Sequence, residues 1–238
     1  MSTEQPITRE NLVNCLKELA KEFLKLNGRS TPAEIILVGG ASILINYGFR
    51  EATYDVDAVI RASSAMKEAS NRIADKLGLP NGWLNMDFKN TKSYSDKLDG
   101  VSVFYKTYSG ILTIRTVAAE YLVAMKLMAG REYKNDLSDI AGILYEHQKS
   151  GKPIAREAVD NAVRTLYGNW DNIPPVSKTL FNDIFDSSNL EAIYQSIRES
   201  EKSAKAALLD FKREYPDAAG SEESIKKILE LAKRKKNQ

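Results

Sequence analysis

Cysteine and histidine are almost absent from this sequence of 238 residues, which contains one of each, Cys15 and His147. A single cysteine cannot form an internal disulfide, and it excludes a metal site built from several thiolates. The single histidine argues against histidine-based catalysis and against zinc binding, because zinc sites take several ligands from these two residue types.

Long apolar runs and a strong overall charge are also lacking. No apolar stretch approaches the roughly 18 residues of a membrane-spanning helix, and the polar N-terminus does not resemble a signal peptide. We therefore expect a cytoplasmic protein with no membrane partner. The formal net charge is only +2, but residues 221–238 carry six lysines and arginines against three glutamates. This basic tail is either a solubilising helix or a contact for a phosphate backbone.

Strand patterns occupy the first half of the sequence and helix patterns the second. Strands are predicted near 35–38, 54–60, 83–89, 101–106 and 111–117, the last two as a hairpin. Helices are predicted near 8–26, 41–47, 64–77, 118–129, 135–149, 154–167, 176–186, 190–213 and 222–235. This order predicts an α/β (α+β) domain at 1–117, with a small mixed sheet and flanking helices, followed by a helical domain at 118–238.

Two carboxylates, Asp55 and Asp57, stand two positions apart on the predicted strand 54–60. Residues at this spacing point to the same face of a strand, with their backbones about 6.5 to 7 Å apart. Their side chains can converge on one Mg²⁺ ion, which usually takes one or two carboxylates together with substrate phosphates. The alternative is a solvated face of an edge strand.

A glycine pair, Gly39-Gly40, separates a buried strand from a short helix. Glycine lets the backbone approach a ligand closely, and the N–H groups at a helix start attract phosphate. Ser42 can add a hydroxyl hydrogen bond, and Arg50 either reaches a phosphate or lies in a solvated loop. The alternative is an ordinary strand-to-helix turn. Because the turn and the acidic strand are neighbours in sequence, together they predict a phosphoryl-transfer site.

Val38-Gly39-Gly40-Ala41-Ser42, followed by Asp55-Val56-Asp57, resembles the first two motifs of the DNA polymerase β-like nucleotidyltransferase superfamily. This resemblance implies a nucleoside triphosphate donor, two magnesium ions and transfer of a nucleotidyl group. It also implies a third carboxylate on a later strand. Asp87 fits that position, since Asn85 and Asp87 alternate with apolar residues, although related bacterial chains place the acid where this sequence has Met86.

A second resemblance covers Glu120–Arg131 and Lys134–Ile140, which are similar to the AbiEii-like bacterial nucleotidyltransferases. Those proteins carry a lysine in an apolar helix, followed by a helix start that is basic and doubly acidic. Lys126 lies along the apolar stripe of its helix and must therefore snorkel, pair or meet an anion. We expect Lys126 to neutralise triphosphate charge, and Asp139 to orient Lys126 or the metal cluster.

These features predict a magnesium-dependent nucleotidyltransferase whose substrate lies between the two domains. Asp55, Asp57 and Asp87 are the predicted metal ligands and, with Lys126, the catalytic residues. Gly39, Gly40, Ser42, Lys126 and Asp139 are predicted to bind the nucleotide. The acceptor is RNA (tRNA in particular), a protein hydroxyl or a small molecule, and the AbiEii-like resemblance favours RNA and a toxin with a cognate antitoxin. The alternatives are a non-catalytic partner-binding protein on a degenerate scaffold and an aminoglycoside-type enzyme.

Overall fold

The computed structural model describes residues 6–132 and 134–214 of the chain. The predicted helix over 222–235 and its basic residues lie outside the described residues. Within the described part, no helix is both long enough and apolar enough to cross a membrane.

A mixed sheet of five strands forms the centre of the fold, and its spatial order is β5-β4-β2-β7-β6. The strands are β1 (Ile7–Thr8), β2 (Ala33–Leu37), β3 (Ala52–Thr53), β4 (Val56–Arg61), β5 (Leu84–Asn85), β6 (Ser102–Tyr108) and β7 (Leu112–Val117). Strand β2 runs antiparallel to β4 and parallel to β7, whereas β6 and β7 form the predicted hairpin. The short strands β1 and β3 pair separately.

Helices flank this sheet and fill the second half of the described chain. They are α1 (Arg9–Asn27), α2 (Gly39–Asn46), α3 (Ala65–Leu77), α4 (Ala119–Ala129), α5 (Asp136–Lys149), α6 (Arg156–Tyr167), α7 (Pro175–Asp186) and α8 (Leu190–Glu214). Two short 3-10 helices span Asp87–Asn90 and Asp96–Asp99.

The two faces of β2 belong to different parts of the core. Ile35 and Leu37 are buried with the side chains of α1 and α3. Ile36 is buried on the other face, with the side chains of α4 to α8. Because successive side chains of a strand point to opposite faces, an uninterrupted apolar run is required at this position. The predicted fold class is confirmed, while the division at 117 into two domains stays a prediction.

One local prediction was shifted and another was wrong. The strand predicted near 54–60 is present as β4, but it begins at Val56, so Asp55 lies just before the strand and not on it. The predicted strand over 83–89 shrinks to the two residues of β5, and the chain then turns into a 3-10 helix. Met86, predicted to share one face with Leu84 and Phe88, is instead 40% exposed, whereas those two residues are buried.

Candidate active site

The carboxylates of Asp55 and Asp57 stand at the start of β4. Asp57 is half-buried on the strand, and Asp55 is exposed just ahead of it. Burial and the nearby charge of Asp55 together raise the pKa of Asp57 to about 6, against the opposing charges of Lys126, Lys134 and Arg131. A divalent cation would relieve both the burial cost and the repulsion, so this donor set fits a hard metal ion.

The glycine turn lies directly beside this pair. The backbone N–H of Val38 donates to the carbonyl of Asp57 over 3.0 Å, which ties the end of β2 to β4. Gly39 has a φ of +51°, and a Cβ at this position would lie 3.8 Å from Asp57 Oδ2. No side chain caps the start of α2. The first N–H groups of α2 therefore open beside the carboxylates, where they favour an anion.

Ser42 does not occupy the position that the sequence suggested. Its side chain is fully buried, and its Oγ has no hydrogen-bond partner among the described residues. Its backbone N–H donates to the carbonyl of Val38 in the first turn of α2. This burial argues against a direct contact between the Ser42 hydroxyl and a phosphate.

Gly40 is required by the side chain that packs over it. A Cβ at this position would lie 2.7 Å from Arg50 Nη2 and 2.9 Å from Thr53 Oγ1. The Arg50 side chain is only 13% exposed and its Nη1 lies 2.6 Å from Asp139 Oδ2. Arg50 is therefore not in a solvated loop. It joins the glycine turn to helix α5, a role that its sequence context does not reveal.

Lys126 is buried between two carboxylates of α5. Its Nζ lies 2.8 Å from Asp136 Oδ1 and 2.8 Å from Asp139 Oδ2. Burial lowers the pKa of Lys126, but the two aspartates outweigh burial and raise it. Of the three possibilities for this lysine, pairing is the one found, and Asp139 lies beside it as expected.

Asp136 is shared between two cations. Burial alone would raise its pKa, but Lys126 and Arg131 hold the pKa of this carboxyl well below its usual range. Arg131 Nε lies 2.7 Å from Asp136 Oδ2. We refer to Arg50, Lys126, Arg131, Asp136 and Asp139 as the buried charge cluster.

The buried charge cluster contains three cations and two carboxylates, so it carries one excess positive charge. Lys134 adds an exposed cation in the α4–α5 connection, and its charge acts on Asp57. Arg131 and Lys134 belong to the two segments that resemble the AbiEii-like proteins, and this resemblance is the only sequence feature that could have identified them as site residues. Carboxylates and a positive field thus meet at one end of the sheet.

Asp87 is not brought to this site by a strand. It begins the first 3-10 helix and is exposed, and its backbone N–H donates to Asn85 Oδ1 over 2.8 Å. The residue beside Asp57 in the parallel register of β4 and β5 is Asn85. Within 6–132 and 134–214, no group of three or more acidic, histidine or cysteine side chains is placed to hold a metal ion. The strand argument for Asp87 was wrong, and its role as third ligand stays a prediction without geometric support.

The family comparison covers this whole region. Residues 14–149, more than half of the chain, match the sequence model of a family described as nucleotidyltransferase of unknown function (DUF6036). No curated protein and no solved structure matches the chain. The narrower AbiEii-like resemblance therefore stays a prediction. The match spans the glycine turn, Asp55, Asp57 and the buried charge cluster, and the chain belongs to this family of nucleotidyltransferases of unknown function.

Proposed function

We propose that this protein is a magnesium-dependent nucleotidyltransferase that transfers a nucleotidyl group from a nucleoside triphosphate to an acceptor hydroxyl. The observation that carries the proposal is that Asp57 lies directly beside the Gly39 turn. A Cβ added to Gly39 would be 3.8 Å from Asp57 Oδ2. A carboxylate pair and the open N–H groups of a helix start are the two halves of a phosphoryl-transfer site.

Asp55 and Asp57 are the proposed magnesium ligands. The ions, when bound, supply charge neutralisation for the transferring phosphate and its leaving group. The N–H groups at the start of α2 hold phosphate oxygens. Lys134 is exposed and contacts the triphosphate directly, whereas Lys126 is buried by two carboxylates and acts through its charge.

The reaction is a displacement at the α-phosphorus. A bond forms between the acceptor oxygen and this phosphorus, the bond to pyrophosphate breaks, and the acceptor proton passes to a base. Asp87 is the proposed base on the ground of the sequence resemblance alone, because its position at the start of a 3-10 helix does not support that role. The positive field of the buried charge cluster stabilises the charge that gathers on pyrophosphate.

RNA, and tRNA in particular, is the acceptor favoured by the AbiEii-like resemblance, within a toxin that is controlled by an antitoxin protein. A protein hydroxyl and a small molecule are the other acceptors. A non-catalytic partner-binding role is a second candidate function, and one observation favours it: Asn85, not a carboxylate, is the register partner of Asp57.

Nucleotide binding is the first test. The thermal stability of the wild type is measured with ATP, CTP, GTP or UTP, each with and without Mg²⁺. We expect Mg²⁺-dependent stabilisation by at least one nucleotide, its loss in Asp57→Asn, and its retention in Asp75→Asn, which alters an exposed acid on α3. Stabilisation follows from preferential binding to the folded state.

Transfer is the second test, in which each labelled triphosphate is incubated with the protein and total RNA or lysate. We expect label on one acceptor class with the wild type and none with Asp57→Asn. Nucleotide binding without transfer would favour the non-catalytic role. Activity in Asp57→Asn would remove the carboxylate pair from the mechanism.

A further inference from the structure

A cavity of about 510 Å³ opens next to the candidate active site. Its walls come from the segment 49–54, the start of α5 and one side of α8. Tyr54, which lines it, directly precedes Asp55 in the chain. Arg50 lines the cavity and also packs against Gly40. A ligand in this cavity would therefore lie beside the carboxylate pair without occupying the glycine turn.

Two of the acids that line the cavity are already bonded to other groups of the protein. Asp139 is bonded to Arg50 and Lys126. Glu201 is 4% exposed, and its Oε1 accepts hydrogen bonds from the backbone N–H groups of Leu137 and Ser138 over 3.1 and 3.2 Å. These two carboxylates bind groups at the start of α5 and in the buried charge cluster. A ligand would therefore interact with the other charged side chains of the lining.

The remaining lining charges are three cations and two carboxylates. Arg198, Lys202 and Lys205 follow one another at helical spacing along one side of α8, and Glu51 and Glu199 are the acids. Lys205 already donates to Asn135 Oδ1, and Arg198 lies 3.8 Å from the highly exposed Glu51. With Arg50, Asp139 and Glu201 included, the lining holds four cations and four acids and is neutral overall. The row of three cations along α8 still gives the cavity one basic wall, which favours a phosphate-bearing acceptor over a polycationic one such as an aminocyclitol.

An exposed aromatic ring completes the cavity. Tyr54, which lines the cavity, is 60% exposed and so offers the face of its ring to a ligand. Single-stranded nucleic acid is held by this combination of cations along the backbone and an aromatic platform for the bases. The volume also lies within the range of small-ligand sites, so one nucleotide fits.

We propose that this cavity is the acceptor site and that it binds the end of a single-stranded RNA, with a base on Tyr54 and phosphates against Arg198 and Lys202. The proposal rests on the proposed function, because a transferase with two substrates needs a second site beside its metal ligands. The nucleotide occupies the turn and the cations of the α4–α5 connection, and the acceptor enters from the side of α8.

The test is a salt titration of binding to a labelled single-stranded RNA of about 12 nucleotides, a length within known site sizes. Arg198→Ala/Lys202→Ala removes two cations from the cavity. Lys21→Ala/Lys25→Ala removes two exposed cations from α1, where their side chains are 61% and 72% exposed, and is the matched control. Each lost phosphate contact should flatten the slope of log affinity against log salt by about 0.7, or about 1.4 for the cavity variant. The control should keep the wild-type slope.

Tyr54→Ala and Tyr54→Phe test the stacking contact. Loss of the ring should weaken RNA binding by about 5- to 150-fold, whereas phenylalanine should preserve it. Equal effects of the cavity and control pairs on the salt slope would overturn the proposal, as would unchanged binding in Tyr54→Ala.

Magnesium-dependent stabilisation by ATP, CTP, GTP or UTP, measured on the same variants, separates this proposal from the proposed function. Retained nucleotide stabilisation together with weakened RNA binding supports the acceptor site. Loss of nucleotide stabilisation in the cavity variants would assign the cavity to the nucleotide instead. Labelling of a protein but not of RNA by the wild type would support the transferase and overturn the RNA acceptor.

Discussion

Replacement of Lys126 by methionine should strongly destabilise the protein. Methionine matches the length of lysine and suits an apolar helix, so packing alone predicts little change. The structure adds a reason that packing omits: the Lys126 ammonium lies 2.8 Å from carboxylate oxygens of both Asp136 and Asp139. The substitution removes the cation that these two buried acids share.

The expected loss follows from what remains around each carboxylate. Removing one partner of a buried ion pair typically costs about 3 to 5 kcal/mol. Asp139 keeps Arg50 and Asp136 keeps Arg131. We therefore expect the lower end, about 3 kcal/mol, which corresponds to a fall in Tm of roughly 6 to 12 °C for a chain of this size.

Urea unfolding at pH 7 measures this loss, with Lys67→Met on the exposed side of α3 as the control. Lys126→Met should cost less in an Asp139→Asn background than in the wild type, because one of the two acids that pair with the lysine is then uncharged. A Lys126→Met protein as stable as the wild type, with no such difference between the two backgrounds, would refute the reasoning.

The same substitution has a predictable pH dependence. Lys126 and Arg131 depress the pKa of Asp136 in the folded protein, against the effect of burial. A depressed folded-state pKa stabilises the protein above the unfolded-state value, and the stabilisation disappears as pH falls through the folded-state value. The difference between wild type and Lys126→Met should therefore be full at pH 7 and should shrink below the unfolded-state pKa of 3.8.

Gly40→Ala should cost about 1 to 3 kcal/mol in urea unfolding, because its Cβ would press on the guanidinium that covers the turn, whereas Gly48→Ala meets nothing within 4 Å and should be tolerated. Asp55→Asn should lower the pKa of Asp57 from about 6 towards the usual 3.8, as followed by carboxyl NMR; an unchanged pKa would leave burial as the sole cause. Burial raises the pKa of Glu201 from 4.5 to about 7, so its stabilising contribution is present below 4.5 and is lost as pH rises through 7. The free energy of unfolding of Glu201→Gln, measured in urea from pH 4 to 8, should not show that decrease. A variant whose stability falls with pH as the wild type's does would show that Glu201 is not the titrating group.

The parts of the site that were predictable from sequence depend on neighbouring strands. The glycine turn ends β2 and the carboxylates start β4, and these strands pair with Leu37 opposite Ala58. Adjacent antiparallel strands bring the end of one to the start of the other, so the turn and the acids must meet. The apolar run of β2 likewise required cover on both faces, and it is covered by helices on both.

The parts that could not be predicted depend on distant contacts. Arg50 and Asp139 are separated by 89 positions, and no local pattern joins them. The prediction for Asp87 was wrong because a local pattern was present without the distant contact. Three alternating apolar residues resemble a strand, but the pairing with β4 stops at Asn85. Alternation over so short a window does not determine whether a partner strand continues.

Stability alone does not account for the buried charge cluster. Apolar residues of similar size often stabilise a protein as well as or better than a buried ion pair does. The triple replacement Arg50→Met/Lys126→Met/Asp139→Leu tests this, since it leaves Asp136 paired with Arg131. We expect it to unfold at a urea concentration equal to or above that of the wild type, yet to show no Mg²⁺-dependent stabilisation by any nucleotide. The reason is that the triple change removes two cations and one carboxylate from beside the glycine turn. Retained nucleotide stabilisation in this variant would make the cluster a structural feature and would leave phosphate binding to the α2 start and Lys134 alone.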